Sequence, residues 1–363
     1  MYVKPATAKI SSVALKQNLQ VIKKLAPKSK VIAVVKANAY GHGVEFVSSA
    51  IEENVDCFGV ARIAEALVLR SHGITKPILL LEGFFSKEDL PILAVNNIQT
   101  VVHNREQLEA LQEIDLSQTV PNKIKVWLKI DTGMHRLGVD LDQVEEFYAA
   151  LKACPNVSED IGFVSHFCLA DDLTSDYTSL QLQRFLDATK ERGARSIAAS
   201  GGVLFWPESH LEWIRPGVIM YGITPNNISS QEQGLTPVMT LTSSLIAIRN
   251  HKKGEPVGYG CAWVSKKDTK IGIVAIGYGD GYPRDMPEGT PVFVNGRRVP
   301  VVGRVSMDML TVDLGAESQD QVGDEVILWG KNLPIEEVSA FSGILSYELI
   351  TKLTPRVLTE YID

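Results

Sequence analysis

A lysine ends an apolar run in the stretch Val34-Val35-Lys36-Ala37-Asn38-Ala39-Tyr40-Gly41-His42-Gly43. The residues that lead into it, 31–35, are all β-branched or alanine. This composition predicts a parallel strand that is buried on both faces. The glycines at positions 41 and 43 allow the chain to turn soon after the strand. Lys36 is therefore expected at the carboxyl end of a buried strand, pointing into whatever site that end forms.

Lys36 has two possible roles. Desolvation disfavours the ammonium form, so a lysine in this position can become nucleophilic and form a Schiff base with an aldehyde cofactor or a carbonyl substrate. The structural alternative is a strand-end lysine whose amine extends to water, which is the commoner case for an isolated lysine. What the rest of the chain places beside Lys36 decides between the two.

The composition is that of an ordinary globular protein. The chain has 363 residues, of which 45% are hydrophobic and 22% are charged, and this length allows two domains with separate cores. No segment is long and apolar enough to cross a membrane, and residues 1–30 lack a signal sequence, so we expect a cytoplasmic protein. The net charge of −7 argues against nucleic-acid binding and favours a small-molecule partner.

Cysteine and histidine usage indicates no cross-link and no metal site. The cysteines at positions 57, 154, 168 and 261 show no close pairing, and the seven histidines form no metal-spaced pair. We therefore expect reduced thiols, no structural zinc and no other metal.

Short apolar runs alternate with amphipathic stretches over about the first 225 residues, the pattern of parallel strands joined by crossover helices. The predicted strands are Val31–Ala37, Asp56–Arg62, Pro77–Gly83, Ile98–His103, Ile124–Asp131, Asp160–Phe167, Ser196–Ser200 and Trp213–Gly222. Predicted helices between them include Asp140–Ala153 and Asp176–Arg192. Eight strands in one unbroken series favour a (β/α)8 barrel over an open sheet.

The pattern changes after residues 224–227, Thr-Pro-Asn-Asn. Later segments with strand and turn signals are Leu241–Arg249, Lys270–Ile276 and a hairpin from Pro291 to Pro300 around Asn295-Gly296, followed by a helix near Tyr347–Leu353. We therefore predict an N-terminal TIM-like (β/α)8 barrel over residues 1–228 and a C-terminal, mostly β domain over residues 229–363. The first residues of the chain are candidates for pairing with the C-terminal domain.

Polar residues accompany several predicted strands at their carboxyl ends, where a barrel of this kind gathers its chemistry. They are Lys36 and Tyr40 at the first strand, Lys129, Asp131 and Arg136 at the fifth, Ser165 and His166 at the sixth, Ser200 at the seventh, and Arg215, Gly217 and Val218 at the eighth. Ser200 and the backbone amides near Gly217 and Val218 have the character of a phosphate cup, because glycine permits close backbone approach and amide N–H groups bind anions.

These residues belong to a pattern that resembles the alanine racemase family, pyridoxal 5′-phosphate (PLP) enzymes of fold type III built from a barrel and a β domain. The resemblance is collinear over nearly the whole chain. Its motifs are the lysine segment, Lys129 to Gly138, Arg215 to Gly222, Gly258-Tyr259-Gly260 with Trp263, Gly277 to Arg284, and Gly303 to Asp308. Departures are few: Ala199 stands where many members have asparagine, and Ser306 where cysteine is common.

The resemblance implies PLP as the cofactor and assigns its contacts. Lys36 would bind PLP covalently through its amine, and Arg215 would face the pyridine nitrogen with His166 bonded behind it. The residues implied to hold the phosphate are Tyr40, Ser200, Gly217, Val218 and Tyr347.

The resemblance also implies that the enzyme interconverts L- and D-alanine with two bases. Removing the Cα proton from one face and returning one on the other requires a base on each side. Lys36 is implied for one face and Tyr259 of the partner subunit for the other, across a homodimer interface. A neutral phenol is a poor base, so a cationic neighbour such as Arg136 is expected to favour the phenolate.

Three further residues carry roles by resemblance. Met307, through its backbone N–H, and Asp308 are implied to close the substrate side and bind the substrate carboxylate, again from the partner subunit. Lys129 is implied to be carbamylated, giving an anion that orients Arg136. The alternative for Lys129 is a simple ion pair with Asp131.

Competing functions share part of this pattern. A broad-specificity amino-acid racemase usually has a secretory signal, and a PLP decarboxylase would be expected to place a carboxylate where this chain has Arg215. A non-catalytic PLP carrier would leave the β domain with Tyr259 unexplained. The resemblance therefore favours an alanine racemase that supplies D-alanine for peptidoglycan, with a catabolic or broader-specificity racemase as the alternative.

Overall fold

The computed structural model describes residues 3–116, 123–190 and 192–363. The chain divides into two compact units. The barrel unit is Asn18–Met220, and the β unit consists of Tyr221–Asp363 together with the N-terminal segment that ends at Gln17.

The strands and the helices are numbered separately, each in the order in which they occur along the chain. The strands are β1 (Thr7–Ser11), β2 (Lys30–Val34), β3 (Cys57–Val60), β4 (Ile78–Leu80), β5 (Ile98–Val102), β6 (Val126–Lys129), β7 (Gly162–Val164), β8 (Arg195–Ser196), β9 (Trp213–Ile214), β10 (Met239–His251), β11 (Pro256–Val257), β12 (Trp263–Val264), β13 (Thr269–Val274), β14 (Pro291–Val294), β15 (Arg297–Pro300), β16 (Leu310–Asp313), β17 (Glu325–Trp329) and β18 (Leu358–Ile362). The helices are α1 (Ser12–Leu25), the short turn α2 (Lys36–Tyr40), α3 (Val44–Ile51), α4 (Ile63–Ser71), α5 (Asp89–Val95), α6 (Arg105–Glu113), α7 (Val144–Ala153), α8 (Tyr177–Thr189), α9 (Ser200–Phe205), α10 (Ile335–Ser342) and α11 (Ser346–Thr351).

The sheet of the barrel unit has eight strands in the order β8-β7-β6-β5-β4-β3-β2-β9. Every neighbouring pair in this order is parallel. The backbone N–H of Arg215, just after β9, donates to the carbonyl of Ala198, just after β8, at 2.8 Å. This bond joins the two ends of the sheet, so the predicted (β/α)8 barrel is confirmed.

The predicted barrel strands are all present, but each is shorter than predicted. The largest difference is at the eighth, where the strand covers only Trp213–Ile214 and Val218–Tyr221 is a 3-10 turn. Pro216 has no N–H to give to a sheet, so the strand cannot continue through it. The later apolar residues are nevertheless buried, which is why their pattern alone resembled a strand.

The two predicted helices are also present, but each is shorter than predicted. The segment predicted as Asp140–Ala153 contains a 3-10 turn, Leu141–Gln143, followed by α7. Helix α8 ends at Thr189, because Lys190 adopts a left-handed conformation with φ of 48°. Glu191, within the predicted segment Asp176–Arg192, lies outside the described residues.

Large apolar side chains fill the inside of the barrel. Strands β2 to β7 each contribute one buried residue to a cluster formed by Ile32, Cys57, Leu79, Val101, Trp127 and Val164. The Trp127 ring meets Trp213 of β9 edge-on, with centroids 5.9 Å apart. Because β6 and β9 are not neighbours in the sheet, this contact crosses the barrel interior.

The β unit is a mostly antiparallel sheet around the long strand β10. Strand β10 pairs with β1, β13 and β17, and β1 also pairs in parallel with β18. The predicted hairpin is present as β14 and β15, joined by Asn295 and Gly296 with φ of 44° and 84°. Positive φ at both positions is the geometry that favours Asn-Gly in two-residue hairpins. The mostly β character of this part of the chain is confirmed.

We predict that Gly162→Ala lowers the free energy of unfolding by about 1–3 kcal/mol, the usual cost of overpacking a core. A Cβ atom at residue 162 would overlap Cε3 of the Trp127 ring, and this ring is itself buried. Equilibrium unfolding in denaturant measures the change.

Gly59→Ala is the matched control, because Gly59 is also a barrel-strand glycine but its Cβ would meet only methyl groups at the side-chain ends of Ile32 and Leu81, at 3.1 Å or more. A loss for Gly59→Ala as large as that for Gly162→Ala would contradict the packing argument.

Candidate active site

The predicted residues of the barrel unit lie on segments at or after the carboxyl ends of its strands. Lys36 follows β2, Lys129 ends β6 with Arg136 in the next loop, His166 follows β7, Ser200 follows β8, and Arg215 follows β9. Carboxyl ends of parallel barrel strands meet at one end of the barrel. The residues are close enough to perturb one another electrostatically, as the pKa shifts of His166 and Lys129 show.

The turn α2 has left-handed backbone geometry. Ala37, Asn38, Ala39 and Tyr40 have φ of 52°, 54°, 53° and 54°. The sequence predicted that the chain would turn at its glycines, whereas the turn begins directly after Lys36. As a result Lys36 opens the turn and Tyr40 closes it.

Tyr40, Ser200 and Gly217 form a compact polar cup. The Ser200 hydroxyl accepts from the backbone N–H of Gly217 at 3.0 Å and from that of Ile219 at 3.5 Å. A Cβ atom at residue 217 would lie 2.6 Å from the Tyr40 hydroxyl and 3.8 Å from that of Ser200. A side chain at residue 217 would press on the Tyr40 hydroxyl, so glycine lets this hydroxyl lie close to the backbone.

Burial controls the protonation of the cup. It raises the pKa of Tyr40 to about 12, so the phenol keeps its proton at neutral pH and can donate a hydrogen bond. Ser200 and Val218 are buried, and Tyr40 is half-buried. A buried donor set of this kind suits an anion that accepts several hydrogen bonds.

Arg215 holds a buried guanidinium in a fixed orientation. The residue is only 4% exposed. Its Nη1 donates to the Ser196 hydroxyl at 2.7 Å, and its Nη2 donates to the carbonyls of Ser165 at 2.5 Å and Ile197 at 3.4 Å. Burial lowers the pKa of Arg215 to about 10, which still leaves it cationic at neutral pH.

His166 lies beside this guanidinium as a neutral ring. Its Nδ1 is 3.4 Å from Nη2 of Arg215. Burial first, and then the positive charges of Arg215, Lys129, Arg136 and Lys36, hold the pKa of His166 well below its usual value. A neutral imidazole can accept a hydrogen bond from Arg215, so the predicted pairing of the two residues is chemically consistent.

Lys129 lies among other cations. Burial first, and then Arg215, Arg136 and Lys36, lower the pKa of Lys129 to about 7, although Glu82 acts in the opposite direction. A substantial share of its amine is therefore neutral at physiological pH.

Asp131 does not pair with Lys129. One of its carboxylate oxygens accepts from the backbone N–H groups of Gly133, Met134 and His135 at 2.9–3.1 Å. Within the described parts of the chain, no carboxylate lies within ion-pair distance of Lys129. The carboxylate of Asp131 instead shapes the loop that carries Arg136.

The remaining predicted residues belong to the β unit. Tyr259 is 73% exposed, in a short turn between Gly258 and Gly260, which have φ of 73° and 71°. Met307 is exposed, and the Met307 carbonyl accepts from the backbone N–H of Gly279 at 2.8 Å.

Asp308 and Tyr347 complete the set in the β unit. The Asp308 carboxylate pairs with Arg356 at 2.7 Å, and Tyr347 lies on α11. The predicted contacts of all four β-unit residues with PLP or substrate stay a prediction.

The sequence missed Ser196 as a functional residue. It is fully buried at the end of β8 and binds the Arg215 guanidinium. A serine inside a buried strand must find a hydrogen-bond partner, and this was the signal that could have singled it out.

The described residues form neither a candidate metal centre nor a membrane-spanning helix. They contain no cluster of three or more His, Cys, Asp or Glu side chains suited to a metal ion. Nor does any of their helices have the length and apolar character required to cross a bilayer.

Comparison with known families and proteins identifies the same pattern. Residues 10–225 match the family model "Alanine racemase, N-terminal domain", and residues 238–361 match "Alanine racemase, C-terminal domain". Among curated relatives, alanine racemases of Pasteurella multocida and Haemophilus influenzae are 75% and 73% identical, each over 100% of both chains.

Solved structures agree with these relatives. The biosynthetic alanine racemase of Pseudomonas aeruginosa superposes with a TM-score of 0.94 at 41% identity, covering 99% of this chain and 100% of that one. The alanine racemase of Acinetobacter baumannii gives a TM-score of 0.92 at 35% identity with the same coverage. The resemblance inferred from the sequence motifs is thereby confirmed, and the chain belongs to the alanine racemase family.

Proposed function

We propose that this chain is an isomerase that interconverts L-alanine and D-alanine with PLP bound at the carboxyl ends of the barrel strands. The observation that carries the proposal is the position of a buried, fixed guanidinium, Arg215, beside a neutral His166, in a chain of the alanine racemase family. The competing decarboxylase would be expected to have a carboxylate in place of Arg215.

The residues of the barrel unit fit PLP. The hydroxyls of Tyr40 and Ser200 lie together at the glycine backbone of residue 217, and a set of hydroxyl and amide groups of this kind suits a phosphate. Arg215 supplies a cation for the pyridine nitrogen, and Lys36 an amine for the aldehyde. The residues proposed to hold the phosphate are Tyr40, Ser200, Gly217, Val218 and Tyr347.

When bound, PLP withdraws electron density from the substrate Cα and so makes its proton more acidic. Lys36 would take or return this proton through Nζ on one face of Cα. The Oη of Tyr259 of the partner subunit would do so on the other face. The high exposure of Tyr259 within its own chain supports a role outside that chain, in a homodimer with shared sites.

Substrate binding is proposed for Arg136, Met307 and Asp308, the latter two again from the partner subunit. A free Asp308 carboxylate would repel the carboxylate of an amino acid. Its ion pair with Arg356 reduces this repulsion, so Asp308 can close the substrate side while the Met307 N–H donates to the substrate.

The proposed physiological role is the supply of D-alanine for peptidoglycan in the cytoplasm. The similarity to the Pseudomonas aeruginosa enzyme, which is described as biosynthetic, supports this role. The alternative is a catabolic or broader-specificity amino-acid racemase.

The proposal predicts rapid formation of D-alanine when the purified, PLP-loaded protein is incubated with L-alanine. Parallel incubations with L-serine, L-lysine and L-arginine, resolved by chiral chromatography, should give little of the other enantiomer. Comparable racemisation of the basic amino acids would favour the broad-specificity alternative. Loss of the carboxylate without racemisation would favour a decarboxylase.

The shared site predicts complementation between two inactive variants. Mixing Lys36→Ala with Tyr259→Phe protein should restore about a quarter of the wild-type activity, because random exchange makes half of the dimers mixed and each mixed dimer has one intact site of two. Chiral assay before and after mixing measures the recovery. Absence of recovery, once subunit exchange has been verified by mass, would refute a site shared between subunits.

The partly neutral amine of Lys129 predicts carbamylation by carbon dioxide. A bond forms between Nζ and the carbon of CO2 while the amine loses one proton, which gives an anion amid the surrounding cations. Since the reaction requires the neutral amine, the carbamate should increase as pH rises through about 7. Carbon-13 NMR with labelled bicarbonate measures it.

Lys125→Arg is the matched control for this measurement, because Lys125 lies on the same segment but pairs with Asp160. The carbamate signal should persist in Lys125→Arg and disappear in Lys129→Arg. A signal that survives Lys129→Arg would assign the carbamate elsewhere.

A further inference from the structure

The left-handed turn α2 requires support from its surroundings. Its residues from Ala37 to Tyr40 are all non-glycine with positive φ, a conformation that the Cβ atom disfavours relative to right-handed backbone. A disfavoured conformation persists only when neighbouring groups hold it in place.

The far end of the turn is held by residues close to it in sequence. The Asn38 side-chain oxygen accepts from the backbone N–H of Val44 at 2.8 Å. Nδ1 of the buried His42 lies 3.1 Å from the Ala39 carbonyl and 3.0 Å from that of Tyr40. Burial lowers the pKa of His42 to about 4, so this ring stays neutral across the physiological range.

The near end is held by a different βα segment. The backbone N–H of Ala37, the first amide after Lys36, donates to Oε1 of Glu65 at 2.6 Å. The other oxygen, Oε2, accepts from the N–H groups of Ala61 and Arg62 at 2.8 and 3.0 Å. One carboxylate in the first turn of α4 therefore joins the loop after β3 to the turn after β2.

We propose that Glu65 is a positioning residue for Lys36. Its carboxylate fixes the first amide of the left-handed turn, and thereby sets where the Lys36 amine lies relative to the Tyr40 hydroxyl at the other end. Hydrogen bonds from backbone N–H groups to a carboxylate are about twice as strong as neutral ones. Without Glu65 the turn relaxes toward negative φ, and Lys36 and Tyr40 no longer meet one ligand together. This inference rests on the proposed binding of PLP by Lys36.

The test compares Glu65→Gln with Asp89→Asn. Asp89 is a matched control, because its carboxylate also accepts two backbone N–H groups at a helix start, from Phe85 and Ser86 at 3.2 Å each, but on a different βα segment. Two readouts are used. One is hydrogen–deuterium exchange of residues 37–43 in protein without PLP, and the other is the PLP concentration that half-saturates Lys36, measured by borohydride reduction and peptide mass spectrometry.

Glu65→Gln should speed exchange in residues 37–43 and raise the half-saturating PLP concentration roughly tenfold, the effect of losing a hydrogen bond to a charged group. Asp89→Asn should match the wild type in both. If Glu65→Gln yields too little folded protein, Glu65→Asp carries the same comparison, because it keeps the charge at the start of α4 but is one methylene shorter.

A second substitution separates positioning of Lys36 from stabilisation of α4. Glycine adopts positive φ without steric cost, so adding Ala37→Gly to Glu65→Gln should recover part of the PLP saturation at Lys36. A loss caused only by damage to α4 would not be rescued from another segment, and failure of rescue would overturn the proposal.

The outcomes also distinguish this inference from the proposed function. If borohydride reduction attaches no PLP to Lys36 of the wild-type protein, the proposed cofactor site is refuted, whatever the hydrogen–deuterium exchange shows. If PLP attaches to Lys36 in the wild type, and Glu65→Gln has the same half-saturating PLP concentration and the same hydrogen–deuterium exchange, only the role of Glu65 is refuted.

Discussion

The hydrogen bonds of one buried cation, Arg215, connect barrel closure to the candidate site. Its backbone N–H closes the sheet at Ala198, and its guanidinium binds Ser165 and Ser196, which follow or end two further strands. A buried guanidinium without hydrogen-bond acceptors would be strongly destabilising, so these contacts fix the segments that supply the acceptors. The strand ends that carry His166 and Ser200 are therefore held by the same residue that the proposed function places against PLP.

The candidate site also contains several positively charged side chains. Lys36, Arg136 and Arg215 lower the pKa of Lys129, and together with Lys129 they lower that of His166. Within the described residues, none of these four cations forms an ion pair with a carboxylate. Burial of Arg215 strengthens its repulsion of the other cations, because the local dielectric constant is low. This end of the barrel therefore favours the binding of anions. A phosphate, a substrate carboxylate or a carbamate on Lys129 would each reduce the repulsion between the cations.

The sequence predicted the barrel well because buried parallel strands leave apolar runs at regular intervals. It failed at residues 218–221, since an apolar run does not distinguish a buried strand from a buried 3-10 turn. It could not predict the left-handed turn after Lys36, because alanine and tyrosine have no preference for positive φ. The contacts of Ser196 and Glu65 were missed because they join segments distant in sequence, whereas the roles of Tyr259, Met307 and Asp308 came from family resemblance alone.

The pairing of β1 with β18 has a consequence for biosynthesis. Thr7–Ser11 lies parallel to Leu358–Ile362, so β1 can complete its pairing only after a strand that is synthesised much later. The segment Asn18–Met220, by contrast, has its whole sheet within itself and can form during translation. An early strand with unsatisfied edges is exposed to wrong pairing while it waits. Slow elongation through the second half of the message would lengthen that exposure and raise the demand for chaperones.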